Sequence, residues 1–395
     1  MDIQNVFQYI DEKDSIQFLQ SLIQVNTINP PGMEKTLADK VRQRLENTCL
    51  LIQSDLVEKN RENLIVSYIN EELLSIQQKT LIYSGHFDTV PIGNVEWTYP
   101  PFEGRRVGNR IYGRGSTDMK SGVAAMIIAM DCIQKAGIKL NGTLQFIGTV
   151  GEEVDCIGAK TVVSRGQIDQ ATAIVISEPT SNQPVIAHKG VLWLKVSTFG
   201  KTAHGSMPSQ GVNAILAMNT FINELNSYVI RYDEHSILGG SSLNIGTIKG
   251  GVGTNVVPDE CTITIDIRTV PGQSHSGITE DIKNILQKVS MVMNVSFDIE
   301  VINNMGCVHT PSNDPFINLA LGTAQSLNGQ EELTLGGVNY YTDGSVYKVQ
   351  LPDVPILIYG PGEPKLAHQP DEWVNISKYL ESIKFYIALA IQYLG

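Results

Sequence analysis

Five segments of the chain place a histidine or a carboxylate after a predicted strand, some directly at its end and some in the loop that follows. In Ser84-Gly85-His86-Phe87-Asp88, which follows Leu81–Tyr83, two ionisable side chains sit two residues apart. Alternate side chains of an extended chain share a face, so His86 and Asp88 can touch. A metal-bound histidine needs such an acceptor for its second ring nitrogen, while capping of a strand end is the plainer use of the pair. Gly113-Arg114-Gly115-Ser116-Thr117-Asp118 runs into a helical pattern from Lys120. Its glycines can bring the backbone close to a ligand, and Asp118 is placed for a helix N-terminus. Gly151-Glu152-Glu153 closes the run Thr143–Val150, and neighbouring carboxylates at a buried strand end repel each other unless a cation or a shared proton intervenes. Glu178 follows Ala173–Ser177 in the same way, and His368 lies in a Gly/Pro-rich loop after Val354–Tyr359.

Each segment alone has an ordinary explanation in capping or a solvated loop. Five of them at the strand ends of one sheet point to a shared site. His86, Asp118, Glu153, Glu178 and His368 form a nitrogen and oxygen donor set without sulfur, which suits zinc and also accepts cobalt or manganese. Two divalent ions against the three carboxylates leave one positive charge for a bridging hydroxide, so the charge balance favours two ions over one.

The elements that must position these residues read as alternating helices and strands. Helical spacing covers residues 14–25, with Asp14 or Ser15 as cap, and 36–47; strands are expected at Asn63–Ile69, Thr80–Ser84, Thr143–Val150 and Ala173–Ser177, with a helix over Lys120–Lys135. This is the pattern of an α/β sheet, whose ligands gather at the carboxyl ends of its strands. Residues 191–303 read differently, as β-α-β-β-α-β, the order of a ferredoxin-like unit, with Ile263, Ile265 and Ile267 alternating against Thr262, Thr264 and Asp266. After it come a helix near Pro315–Ser326, the strand Val354–Tyr359 and a C-terminal helix from about Glu372. The expected organisation is an α/β domain of residues 1–190 and 304–395 interrupted by a small inserted domain, 191–303.

The 395 residues carry 29 Lys+Arg against 41 Asp+Glu, a formal charge of −12, which argues against a nucleic-acid surface. Five scattered cysteines with no C-x-x-C pair fit reduced thiols and exclude cysteine-ligated zinc. Residues 1–13 lack the basic start and apolar core of a signal peptide, and no apolar run approaches the roughly 20 residues that span a bilayer. A cytoplasmic protein without a membrane partner is expected. Asp118 replaces the third glycine of G-x-G-x-x-G, so a nicotinamide oxidoreductase is disfavoured.

The blocks SGHFDTVP, GRGSTDMKSG, GEE, SEPT, GKTAHGSMP, GTNVVPDE, DIRTVPG and GPGEPKLAHQPDEWV, in this order, resemble the metal-dependent amidohydrolases that include acetylornithine deacetylase, succinyl-diaminopimelate desuccinylase, aminoacylase and small peptidases. The resemblance implies a zinc-exopeptidase-like α/β catalytic domain with an inserted lid that also forms a homodimer. It implies that His86 and Glu178 hold one metal, Glu153 and His368 the other, and that Asp118 bridges them. Asp88 would orient His86, and Glu152 would be the general base.

Within the inserted domain, His204 in GKTAHGS matches the family histidine that stabilises the oxyanion, often from the partner subunit, and Asn255 in GTNVVP matches a substrate-contacting position. Arg268 would clamp a substrate carboxylate bidentately, as Arg does better than Lys. Asp343 resembles a segment near the substrate, although a helix cap explains it equally well. His188, His235, His275 and His309 have no motif support and read as surface or loop residues. The expected activity is hydrolysis of the amide bond of a small N-acyl amino acid. The alternatives are a di- or tripeptidase or carboxypeptidase on the same metals, and an inactive binding protein on the same fold, a reading disfavoured by the presence of every ligand and the base.

Overall fold

The structure is a computed structural model that describes residues 3–70, 78–329 and 333–395. In chain order the elements are α1 (Ile3–Phe7), α2 (Glu12–Ile23), α3 (Glu34–Leu45), β1 (Leu51–Glu58), β2 (Arg61–Tyr68), β3 (Thr80–His86), β4 (Arg105–Val107), β5 (Arg110–Tyr112), α4 (Lys120–Lys135), β6 (Thr143–Thr149), α5 (Ile157–Ser164), β7 (Ala173–Ile176) and β8 (Val185–His188). They continue with β9 (Gly190–Phe199), α6 (Ala214–Asn226), β10 (Ser242–Gly250), β11 (Glu260–Thr269), α7 (His275–Met293), β12 (Ser296–Met305), β13 (Val308–His309), α8 (Pro315–Asn328), β14 (Gly336–Val338), α9 (Gly344–Gln350), β15 (Ile356–Ile358), β16 (Trp373–Asn375) and α10 (Ile376–Leu394). The chain divides into two compact units, one of residues 1–187, 309–337 and 342–395 and one of residues 188–308 and 338–341.

The first unit is built on a mixed sheet of order β1-β2-β6-β3-β7-β15-β8-β13, with β14 beside β8. Its centre, β6-β3-β7-β15, is parallel, and the pairs His86 with Thr149, Ser84 with Ile176 and Ile358 with Ile176 bring the carboxyl ends of all four strands to one edge. These strands are apolar on both faces because both are covered, as parallel sheets require. Helix α4 is buried from Lys120 to Ile133 and lies against α2, α10, β3 and β6. A helix apolar all round belongs in such a position.

Local corrections to the sequence reading have plain causes. Helix α2 starts earlier than expected because Asp11, not Asp14 or Ser15, is its cap, accepting from the Asp14 N–H at 3.0 Å. Helix α10 starts at Ile376 with Asn375 as cap, because Trp373–Asn375 is taken as a strand by β5. β1, unexpected from the sequence, pairs antiparallel with β2.

The second unit has the antiparallel order β10-β11-β9-β12, with α6 and α7 between its strands in sequence. Leu192, Leu194, Val196, Ile263, Ile265 and Ile267 of the sheet share a buried core with Phe221 of α6 and Ile282 and Leu286 of α7. The β11 alternation therefore reports one face packed on helices and one face open to water. Among the described residues no helix is long and apolar enough to cross a membrane, and the five cysteines are free.

Candidate metal centre

The carboxyl edge of the parallel strands gathers the expected donors. His86, the last residue of β3, is buried, and its Nε2 lies 3.1 Å from Asp118 Oδ1, 3.8 Å from Glu178 Oε1 and 4.0 Å from Glu152 Oε2. The other oxygen of Asp118, Oδ2, lies 3.3 Å from His368 Nε2, which is 3.1 Å from Glu153 Oε2. One carboxylate thus turns one oxygen to each histidine. Asp118 caps nothing: α4 has no side-chain cap bond, so its carboxylate is free for the histidines.

Asp88 faces His86 through both its backbone and its carboxylate. The His86 Nδ1 partner is the Asp88 backbone carbonyl at 3.0 Å, with the carboxylate at 3.5 Å. That carboxylate is occupied otherwise: Oδ1 accepts from the N–H groups of Gly151 (3.0 Å) and Glu152 (3.2 Å), and Oδ2 from Glu153 N–H (3.2 Å) and Asn29 Nδ2 (2.9 Å). Asp88 therefore fixes the loop that presents both glutamates. Glu372 does the same for the other loop, and sequence reading missed it. Buried beside Arg114, it accepts from the N–H groups of Gly115, Thr117 and Asp118. The Arg61–Glu34 pair, 2.8 Å apart, lies behind Gly151, where a Cβ would approach Arg61 Nη2 to 2.9 Å.

The electrostatics describe an acid cluster short of positive charge. Burial, then the charge of Glu178, pushes Glu152 well above the usual carboxylate range; burial and Asp118 do the same to Glu178 and raise Glu153. Burial also works against the Asp118 carboxylate, but bonds from His368 and His86 hold it low. His368 is pushed up to about 11 by its bonds to Asp118 and Glu153. For His86, burial favours the neutral ring, yet Asp118, Asp88 and the nearby glutamates raise it well above its ordinary value. Without metal, protons must serve as the counter-charge.

Divalent cations fit these residues. His86, Glu152 and Glu178 form one group and His86, Asp118 and Glu153 another, each with donor atoms within 4.8 Å of one another. Glu153 Oε1 is buried with no hydrogen-bond partner, a cost of about 1–3 kcal/mol that coordination would remove. Asp343, also buried, accepts from Thr149 Oγ1 at 2.5 Å and leaves Oδ1 without a partner; burial pushes it up to about 6. It is the N-terminal residue before α9 but makes no cap bond, so the helix-cap explanation does not hold.

The remaining expected residues belong to the second unit. His204 and Asn255 lie on adjoining loops, joined by a bridge between His204 and Val256 and by Gly205 N–H donating to Asn255 O at 2.7 Å. Ser206 N–H donates to His204 Nδ1 at 3.1 Å. Arg268 donates through Nε and Nη2 to Asp266 on its own strand, at 3.2 and 3.1 Å. His188 is a correction: it is fully buried, not a surface residue, and burial lowers its ring to about 4.

The sequence pattern of peptidase family M20/M25/M40 matches residues 82–392. A Staphylococcus aureus (strain N315) protein named "Probable succinyl-diaminopimelate desuccinylase" is 29% identical, over 97% of this chain and 98% of its own. An acetylornithine deacetylase of Buchnera aphidicola is 31% identical, over 75% of this chain and 76% of its own. Among solved structures, a Bacillus subtilis protein described as a dinuclear metal binding peptidase from the M20 family superposes with a TM-score of 0.73 at 16% identity, covering 97% of this chain and 98% of its own.

Proposed function

The chain belongs to peptidase family M20/M25/M40, and from that footing we propose a two-metal hydrolase that cleaves the amide bond of a small N-acyl amino acid, of the acetylornithine deacetylase or succinyl-diaminopimelate desuccinylase type. The observation that carries the reading is Asp118, whose two oxygens face His86 and His368 separately. His86 and Glu178 would hold one ion, Glu153 and His368 the other, with Asp118 between them; zinc suits the donors, and cobalt or manganese could replace it. Bound ions would polarise the scissile carbonyl and acidify a water held between them.

The protein's own part is proton transfer and positioning. Glu152 is buried, its Oε2 4.0 Å from His86 Nε2. Left off the metals, it would take the proton of the attacking water and pass it to the leaving amine. Asp88 would orient His86 and hold the loop of Glu152 and Glu153. We assign His204 to the oxyanion, Asn255, Asp343 and Arg268 to substrate, and Arg268 in particular to a carboxylate that must compete with Asp266.

A second copy of this chain is the proposed partner, through the domain 191–303: β10 is an edge strand, and Ile248 on it and Leu216 on α6 are exposed. Sedimentation that returns a monomer at working concentration removes that assignment. The proposed location is the cytoplasm, which cell fractionation tests. The names of the two relatives favour a deacylase. A di- or tripeptidase or carboxypeptidase is the second reading, supported by the Bacillus subtilis peptidase. Rates on N-acetylornithine, N-succinyl-diaminopimelate, N-acetyl amino acids and dipeptides, with metal-reconstituted enzyme, separate them. Glu152→Ala should lower kcat by at least about 100-fold with metal content unchanged; retained activity removes Glu152 as the base.

A further inference from the structure

Glu372 is fully buried and occupies none of the ligand positions, yet every oxygen it has is used by the loop that carries Asp118. Oε1 accepts from the N–H groups of Thr117 (2.7 Å) and Asp118 (3.0 Å); Oε2 accepts from Gly115 N–H (3.2 Å) and Arg114 Nη1 (2.6 Å). Its backbone carbonyl accepts from Gly113 N–H at 2.9 Å. Arg114 also donates to the carbonyls of Gln369 (3.3 Å), His368 (3.4 Å) and Pro91 (3.2 Å), and Thr117 Oγ1 donates to Trp373 O at 2.6 Å. Residues 113–118 and 368–373 are bolted together through one buried ion pair. Burying both charges is expensive unless the geometry uses them fully, and here the carboxylate satisfies N–H groups that lie outside any helix or strand ladder.

We propose that Glu372, with Arg114, is a positioning residue that makes the bridging carboxylate and the His368 loop a single rigid part, on which binding of the second ion depends. The proposal rests on the two-metal reading above. Of the ligands assigned to the ion at Glu153 and His368, both His368 and Asp118 hang on this joint. The ion at His86 and Glu178 shares only Asp118, because its other ligands are carried by β3 and the end of β7. Loss of the joint should therefore weaken the two ions unequally.

The test is calorimetric titration of the metal-free protein with Zn²⁺. In Glu372→Gln the amide offers a single acceptor and turns an NH₂ group toward N–H donors. The step assigned to Glu153 and His368 should weaken by about 10–100-fold, the range for partners that orient ligands, and the other step by no more than about threefold. In a His368→Ala background, which removes the first of these steps, adding Glu372→Gln should weaken the remaining step by no more than the same threefold or so, since Asp118 is still among its ligands. Arg114→Lys keeps the buried charge but cannot reach all its carbonyls, and should act in the same direction by less, which covers a Glu372→Gln protein that fails to fold. Equal weakening of both steps, or no change in either variant, overturns the proposal. A wild-type protein that takes up a single ion instead refutes the two-metal reading itself.

Discussion

Gly122, in the first turn of α4, offers a sharp test of how the proposed metal centre is held. A Cβ placed there would lie 2.3 Å from Ser177 O and 2.6 Å from the Ser177 side chain. The same carbonyl would meet a Cβ at Gly360 at 2.3 Å, so glycines approach Ser177 from two elements. In Gly122→Ala the carbonyl must retreat by about 1 Å to regain ordinary contact. Ser177 is bonded directly to Glu178, and metal ligands tolerate displacements of only about 0.2 Å. Overpacking costs about 1–3 kcal/mol, and alanine in place of glycine within a helix returns about 1 kcal/mol, so the fold should lose no more than about 2 kcal/mol. The proposed metal site should lose far more: at least about tenfold in affinity for the ion assigned to His86 and Glu178, and about 100-fold in kcat from misplacement of the order of 1 Å. Denaturant unfolding of the metal-free protein, zinc titration and single-substrate kinetics read the three quantities separately. Gly322→Ala is the control, since nothing lies within 4 Å of a Cβ there; it should stabilise α8 slightly and leave zinc affinity unchanged. Gly122→Ala with wild-type zinc affinity and kcat would refute the reasoning.

Loading the metal-free protein with zinc at pH 7 should release protons, because His368, raised to about 11 by Asp118 and Glu153, and the raised Glu152, Glu153 and Glu178 give up protons that the ions replace; apparent affinity then rises with pH by about 1.4 kcal/mol per unit for each proton released, and calorimetry whose heats are identical across buffers of different ionisation enthalpy contradicts this. His188 has its folded-state value lowered to about 4 by burial, so the unfolded chain binds the proton first: stability is full above about pH 6.5 and falls as pH drops from there toward 4, by up to about 3 kcal/mol. His188→Gln should flatten that part of the curve in denaturant titrations, and an unchanged slope counts against the assignment.

The sheet was legible because its parallel strands are buried on both faces and stand out as apolar runs, and because His86, Glu153 and Glu178 lie within a few residues of a run's end; Asp118, ahead of α4, and His368, ten residues past β15, do not. The β-α-β-β-α-β unit was legible from the alternation of β11, which persists because only one face of that sheet is packed. β1 was not: as an edge strand it exposes Leu51 and Leu56, and its sequence carries neither a run nor a clean alternation. The start of α10 was misplaced because Trp373–Asn375 has a partner, β5, that is distant in sequence.

What the chain conceals most is which acids are left open to the proposed metals and which hold the loops that carry them. Asp88 and Glu372 carry the same group as Glu153 and Asp118 and lie nearer to the histidines in sequence, beside His86 and His368. The difference is in what fills their oxygens. Asp88 accepts four N–H bonds from Asn29 and the 151–153 loop, and Glu372 accepts three from the 115–118 loop and one from a guanidinium 258 residues away by sequence separation. Glu153 Oε1 accepts none. A carboxylate saturated by N–H donors has no lone pair left for a cation, while one left bare in a buried site needs one. That distinction depends on backbone directions in loops without regular structure, which neither periodicity nor spacing encodes.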